Sequence, residues 1–455
     1  MNAAPQPEQQ ALLLQGGTIL TLDEEASVLT ATDLLIEGGR ITRIGPELAT
    51  PPGARVLDVR DCLVLPGLIQ GHVHLGQTLF RGLAEGRRLL PWLRERIWPL
   101  EAAHDEASAY VSGLVGAAEC LLSGTTTVQD IGLGPAFRGL LRALDESGLR
   151  AVTGPCLMDA GEGMPGPLLG ETERVLEEAE AFGRELAARN DGRLLPALCP
   201  RFILSCSDAL WRGIGELARR HGWPVHTHAL EQPEETEAVR RLKGGRDEID
   251  YFADGGLLEV PLRLAHGVGL TPAHLTRLRS HPTGVVHCPS SNLKLGSGVA
   301  DVVGIRAAGL PVGVGCDGAA CNNDLDVLKE VRLAALLQIQ RHGPAAVRGV
   351  DALRLVTSEG ARVLGLEDEI GSLETGKRAD VTVLSRADAP ALWPEGEADV
   401  HDLVVYGGAS RAVRHVVVDG RLLVEDSRVA TIDLDALRPA AAAITREVWR
   451  RAGLV

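Results

Sequence analysis

Short apolar runs separated by amphipathic stretches recur through the middle of the chain. The runs lie at residues 62–74, 125–132, 150–159, 193–202, 223–231, 262–269, 283–291 and 311–317, bounded by Gly, Pro, Ser or Asp, as expected of strands buried on both faces. Between them Ala107–Leu122, Glu173–Ala188, Asp208–His221 and Pro233–Lys243 carry apolar residues at helical spacing, and Asp208 is expected to cap its helix after Ser207. Eight strand–helix alternations predict an α/β chain folded as a (β/α)8 TIM barrel over 62–369. The flanks differ. Residues 1–61 and 370–430 hold short strands broken by Gly and Asp, as in Asp33-Leu34-Leu35-Ile36-Glu37-Gly38-Gly39-Arg40-Ile41, and are predicted to pair into a small β-sandwich. A closing helix is expected within 431–455.

Composition narrows the partners. Lys and Arg number 46 against 61 Asp and Glu, a formal net charge of -15 that disfavours a phosphate-binding surface and points to small-molecule ligands rather than nucleic acid. The 8 cysteines include no Cys-x-x-Cys pair, so they read as buried thiols in a reducing compartment. No long charge-free apolar span occurs, and Met1–Pro7 lacks the charged and apolar regions of a signal peptide. The expectation is a cytoplasmic protein without a membrane partner.

The apolar run at 62–74 ends in His72 and His74. Side chains two apart in a strand share a face, so both imidazoles can meet one metal ion at the strand's C-terminal end, where barrel active sites lie. One such pair is more often structural. However, Val225-His226-Thr227-His228, Leu264-Ala265-His266-Gly267 and Val312-Gly313-Val314-Gly315-Cys316-Asp317 repeat the same grammar of an apolar run ending in a metal-binding or proton-moving residue. Imidazole and carboxylate suit zinc, while iron or manganese also accept them. On spacing alone either His226 or His228 can be the ligand.

Together with Gly71-His72-Val73-His74, Ser123-Gly124-Thr125-Thr126-Thr127, His228-Ala229-Leu230-Glu231, His287-Cys288-Pro289-Ser290-Ser291-Asn292, Asp317-Gly318 and Gly376-Lys377-Arg378-Ala379-Asp380, these motifs run nearly the length of the chain. In this order the sequence resembles the amidohydrolase superfamily, in its branch of heterocycle deaminases and chlorohydrolases. The resemblance implies a single divalent metal, zinc first and Fe2+ or Mn2+ next, held by His72, His74, His228 and Asp317, with His226 behind them. It also implies Glu231, His266 and Asp317 as the catalytic set and a homodimer. Some relatives bridge two metals with a modified lysine from strand four. Here the lysines are Lys243, Lys294, Lys329 and Lys377, none in strands one to four, which excludes that arrangement.

For the substrate, Gln77, Arg201 and Glu231 resemble the base-binding set of guanine deaminases, implying hydrolytic removal of an exocyclic amine from an oxo-purine or pterin. Ile97-Trp98-Pro99-Leu100-Glu101 instead resembles deaminases of methylthioadenosine and S-adenosylhomocysteine, with Glu101 on ribose hydroxyls. Those enzymes carry histidine where Arg201 stands, which places the oxo-purine first. An s-triazine chlorohydrolase and a non-catalytic scaffold are the remaining alternatives, and the filled ligand positions argue against the scaffold.

Overall fold

The computed structural model describes residues 10–394 and 398–454; residues 1–9 and 395–397, which belong to the two expected flanks, and Val455 lie outside the described residues. Two runs of parallel strands carry the site. β1 (Leu68–His74), β2 (Thr125–Ile131), β3 (Arg150–Gly154) and β4 (Leu194–Pro196) pair in that order. β5 (Val225–Ala229), β6 (Leu262–His266), β7 (Thr283–His287) and β8 (Val312–Val314) form the second run. Leu198, just past β4, bridges Val225 of β5, and Asp317–Gly318, just past β8, pairs with Val73–His74 of β1. All strands but β4 are buried along their whole length, which is why they read as continuous apolar runs. Close approach of the eighth strand to the first depends on Gly315: a Cβ there would sit 2.4 Å from the His72 carbonyl oxygen.

The single strand expected over 62–74 is two strands in two sheets. Cys62–Pro66 runs antiparallel to Val381–Ser385 and parallel to Leu12–Leu20, inside a nine-stranded sheet drawn from both ends of the chain. The switch falls at Gly67, where a Cβ would lie 2.1 Å from Thr126 Oγ1. Both halves are fully buried, so apolarity alone hid the break. Beneath the parallel strands Arg150 of β3 makes a bidentate ion pair with Asp380, Nε to Oδ2 and Nη2 to Oδ1 both at 2.8 Å, which ties the two sheets together.

The helices follow the predicted order. α1 (Glu106–Leu122) is capped by Asp105, α2 (Thr172–Arg189) ends at Asn190 in the left-handed region, and α3 (Asp208–His221) starts after Ser207. Ser207, not Asp208, is the cap: its Oγ accepts from the Leu210 amide at 3.1 Å, and Asp208 is the first helical residue. α4 (Pro233–Leu242) and α5 (Glu248–Asp254) lie beyond β5, and α6 (Leu434–Arg451) closes the chain, with Trp449 Nε1 donating to the Leu79 carbonyl at 2.9 Å. Among the described residues no helix is long and apolar enough to cross a membrane.

Candidate metal centre and active site

Four side chains from three places in the sequence converge above the C-terminal ends of β1, β5 and β8. Ligand atoms of His72, His74, His228 and Asp317 all lie within 4.8 Å of one another. Nε2 of His72 and of His74 stand 3.3 and 3.4 Å from Asp317 Oδ1, and Nε2 of His74 is 3.1 Å from Nε2 of His228. Each ring is oriented from behind through Nδ1, by His226 Nε2 at 3.0 Å for His72, the Ile131 carbonyl at 3.1 Å for His74 and the Arg201 carbonyl at 2.6 Å for His228. That pattern, Nε2 inward and Nδ1 held by an outer partner, is how imidazole is presented to a metal. His226 therefore sits behind the group rather than in it.

The donors fit a divalent cation on one further ground. His72 Nε2 is fully buried and has no hydrogen-bond partner, a cost that a bound cation removes. Burial first, and then the neighbouring imidazoles, push His74 and His228 well below the usual histidine range, leaving them neutral as metal binding requires. Burial works against ionisation of Asp317, yet the adjoining His72 imidazole and then His266 and His74 hold it well below the carboxylate range. Its other oxygen, Oδ2, accepts from Ser291 Oγ at 2.7 Å and Cys321 Sγ at 3.2 Å, while the Gly318 amide donates to Oδ1 at 2.7 Å.

Two further groups face the centre. Glu231 follows β5 by way of Leu230, whose φ of +54° bends the chain back over the site. Glu231 Oε1 is buried without a partner, and Oε2 lies 3.4 Å from His266 Nε2. Burial, reinforced by the nearby Asp317 charge, pushes the Glu231 carboxyl well up, in the direction of its protonated form. His266, also at positive φ (+76°), has Nδ1 2.9 Å from Asn292 Nδ2, which leaves its hydrogen on Nε2, facing Glu231 and Asp317; burial brings it down to about 3.

The three residues expected at the substrate are linked to one another. Arg201 Nη1 donates to both oxygens of Glu101 at 3.0 and 2.7 Å, and Gln77 Nε2 donates to Glu101 Oε1 at 2.9 Å. All three are buried. Arg201 lines the cavity over the metal-binding group, with Leu89, Trp92, Leu93, Phe202 and Glu231; Glu101 and Gln77 are not among its lining residues and are bonded to Arg201 directly or through one another. Sequence reasoning gave no role to Ser291, Asn292 or Cys321, although Ser291 and Asn292 lie within a motif that carried the resemblance. Trp92 and its neighbours were missed too, because an apolar wall carries no motif.

A model of the amidohydrolase family matches residues 63–423. The chain is 36% identical over 450 residues to the 5-methylthioadenosine/S-adenosylhomocysteine deaminase of Halobacterium salinarum, covering 97% of this chain and 99% of that protein. It superposes with a TM-score of 0.89 on an adenosine deaminase from Xanthomonas campestris with bound zinc, 28% identical, covering 98% of this chain and 100% of the other. Escherichia coli guanine deaminase gives a TM-score of 0.80 at 27% identity, covering 91% of this chain and 99% of that one.

Proposed function

The chain belongs to the amidohydrolase family, and on that premise we propose that it is a mononuclear metal-dependent deaminase that releases ammonia from a 6-aminopurine nucleoside, with methylthioadenosine the first substrate to test. The observation that carries the chemistry is a buried Glu231 with an unpartnered oxygen, its carboxyl pushed up by burial, placed beside the histidine–aspartate group. We take the two parallel runs as one closed (β/α)8 barrel, the paired flanks as a composite β-sandwich, and a homo-oligomer as the working state.

A divalent cation held by His72, His74, His228 and Asp317, zinc before iron or manganese, supplies the Lewis acidity that brings water's pKa to about 7. Glu231 gives its proton to the ring nitrogen beside the reacting carbon as water adds there. His266 directs its Nε2 hydrogen at the oxygen joining that carbon, where negative charge develops. Asp317, kept ionised, takes the proton released by the water. Asp317 passes that proton to the exocyclic nitrogen and the remaining hydroxyl proton returns to Glu231, so the carbon–nitrogen bond breaks, ammonia leaves and a keto group remains.

The nucleoside is favoured over the oxo-purine by the state of Arg201. A guanidinium already engaged by both oxygens of a buried carboxylate is a weakened holder of a neutral carbonyl, and the relative at 36% identity is named for a nucleoside substrate. Leu89, Trp92, Leu93 and Phe202 offer an apolar wall to a purine and a thioether. An oxo-purine remains the second reading, since Arg201 does line the cavity and guanine deaminase shares the architecture. Ammonia release by the zinc-loaded protein from guanine, 8-oxoguanine, isoxanthopterin, adenosine, methylthioadenosine and melamine decides. The highest kcat/KM is expected on methylthioadenosine; a preference for guanine reverses the order, and no ammonia from any of them refutes the function.

A further inference from the structure

Behind the turn that carries Glu231 two more carboxyl groups are buried, and the chemistry above makes no use of them. Glu235, in the first turn of α4, accepts from the Glu231 amide at 2.8 Å and from the Gln232 amide at 3.4 Å through one oxygen, Oε2. Glu248, the first residue of α5, lies against the Leu230 amide and accepts from Thr236 Oγ1 at 2.9 Å through Oε1; its Oε2 is buried with no partner. Their side chains are as inaccessible as any in the core, at 1% and 0% exposure. The amides of Glu231 and Gln232 are thus satisfied by Glu235, and Glu248 lies beside the same turn, whose first residue sits at a φ of +54°.

A helix cap explains part of this. Glu235 occupies the third position of α4, where a carboxylate ordinarily accepts from the capping residue's amide. It does not explain why a second carboxyl is buried beside the same turn. Two anions in this setting repel each other in a low dielectric, and no Lys, Arg or His among the described residues pairs with either. Burial raises both groups, and the charge of Glu248 raises Glu235 further. The acids facing them are Asp247, beside Glu248, and Glu231 itself; Arg201 acts on Glu231 from the cavity side.

We propose that Glu235 and Glu248, two buried carboxyls with no cation beside them among the described residues, keep one proton between them and act as positioning residues that hold the Leu230–Gln232 turn, and so aim the Glu231 carboxyl at the ring nitrogen. The pair then carries a single negative charge, placed at Glu235 Oε2 where amides converge, and the unpartnered Glu248 Oε2 is the oxygen that carries the hydrogen. The proposal rests on the deaminase function above for its catalytic consequence, but not for the proton itself.

The test combines kinetics with a measurement that needs no substrate. In Glu248→Leu the zinc content and KM are expected to stay within about twofold of the parent while kcat falls on the order of 100-fold, the scale of a misaimed proton donor. Glu248→Gln, neutral and still hydrogen-bonding, recovers most of that loss. Equal losses in the leucine and glutamine variants, or losses shared between KM and kcat, overturn the positioning role. Independently, infrared difference spectra in a Glu231→Gln background at pH 7 are expected to show a protonated carboxyl band that Glu248→Gln removes. An unchanged band overturns the retained proton even where the parent releases ammonia, and a lost band where the parent releases none upholds the pair while refuting the deaminase. The two glutamine variants preserve side-chain volume, so the infrared arm stands even where Glu248→Leu fails to fold.

Discussion

Removing Glu101 isolates a buried charge, and its consequences follow from the geometry. Arg201 and Glu101 are 3% and 7% exposed, joined by contacts of 3.0 and 2.7 Å, with Gln77 satisfying part of Glu101 from the other side. Replacing Glu101 with leucine strands the guanidinium in a low-dielectric wall, and breaking one side of such a pair costs about 3–5 kcal/mol. Arg201→Leu strands the carboxylate at similar cost. The double variant removes both charges together, and its stability is expected within about 1 kcal/mol of the parent, since apolar replacement of a buried pair is close to neutral. The coupling energy in the cycle is then about as large as the single losses combined. Equilibrium urea unfolding of the metal-loaded parent, both singles and the double supplies all four corners. Metal content is expected to survive in all of them, because His228 is held by the backbone carbonyl of Arg201, which no side-chain substitution removes. Single losses below about 1 kcal/mol that simply add in the double refute the desolvated pair; loss of metal together with Arg201 refutes the separation of cavity wall from ligand.

Other outcomes follow from the same geometry. Glu231→Gln keeps the metal and loses turnover by about 100-fold or more, since glutamine has no proton to give; a fully active variant removes Glu231 from the reaction. Acid stability is a third. His104, bonded to Ser108 Oγ at 2.9 Å and the Gly76 carbonyl at 3.0 Å, is brought by burial down to about 4, so the unfolded chain binds its proton first as pH falls below 6.5. The stability that His104 contributes by staying neutral is present above pH 6.5 and is lost between there and about 4, up to about 3 kcal/mol. Asp130 and Glu330, raised by burial to about 7, act in the opposite sense and favour the fold as pH falls. The informative quantity is therefore the difference between the parent and His104→Gln across pH 7 to 4, which is expected to grow less unfavourable to the variant with acid; parallel curves contradict it.

The strands and their order were legible because burial on both faces writes an apolar run, and a run ending in His72-Val73-His74 or Asp317-Gly318 marks where the strand meets the cavity. His72, His74 and Asp317 were legible for the same reason, while His228 over His226 came from the resemblance and not from the run. What escaped was information that pairing carries rather than composition. Cys62–Pro66 and Leu68–His74 are equally apolar, so only the sheets they join distinguish them. Ser207 and Asp208 are both good caps, and the choice rests on which side chain reaches the Leu210 amide. Gln77, Glu101 and Arg201 were each singled out as substrate contacts. Their mutual bonds, which join them into one cluster, depend on a separation of 24 residues in one case and 100 in the other. Glu235 belongs to the acidic stretch Glu231-Gln232-Pro233-Glu234-Glu235, whose composition carries no sign of its burial, and it is buried with its carboxyl on the Glu231 amide.

The most direct measurement is metal stoichiometry by elemental analysis on the purified chain and on His228→Ala, with ammonia release followed through chelation and readdition of zinc. One divalent ion per chain is expected in the parent, well under one in the variant, and activity that falls with chelation and returns with zinc. A parent chain that carries no metal, or whose turnover is indifferent to chelator, contradicts the meeting of His72, His74, His228 and Asp317 around a cation.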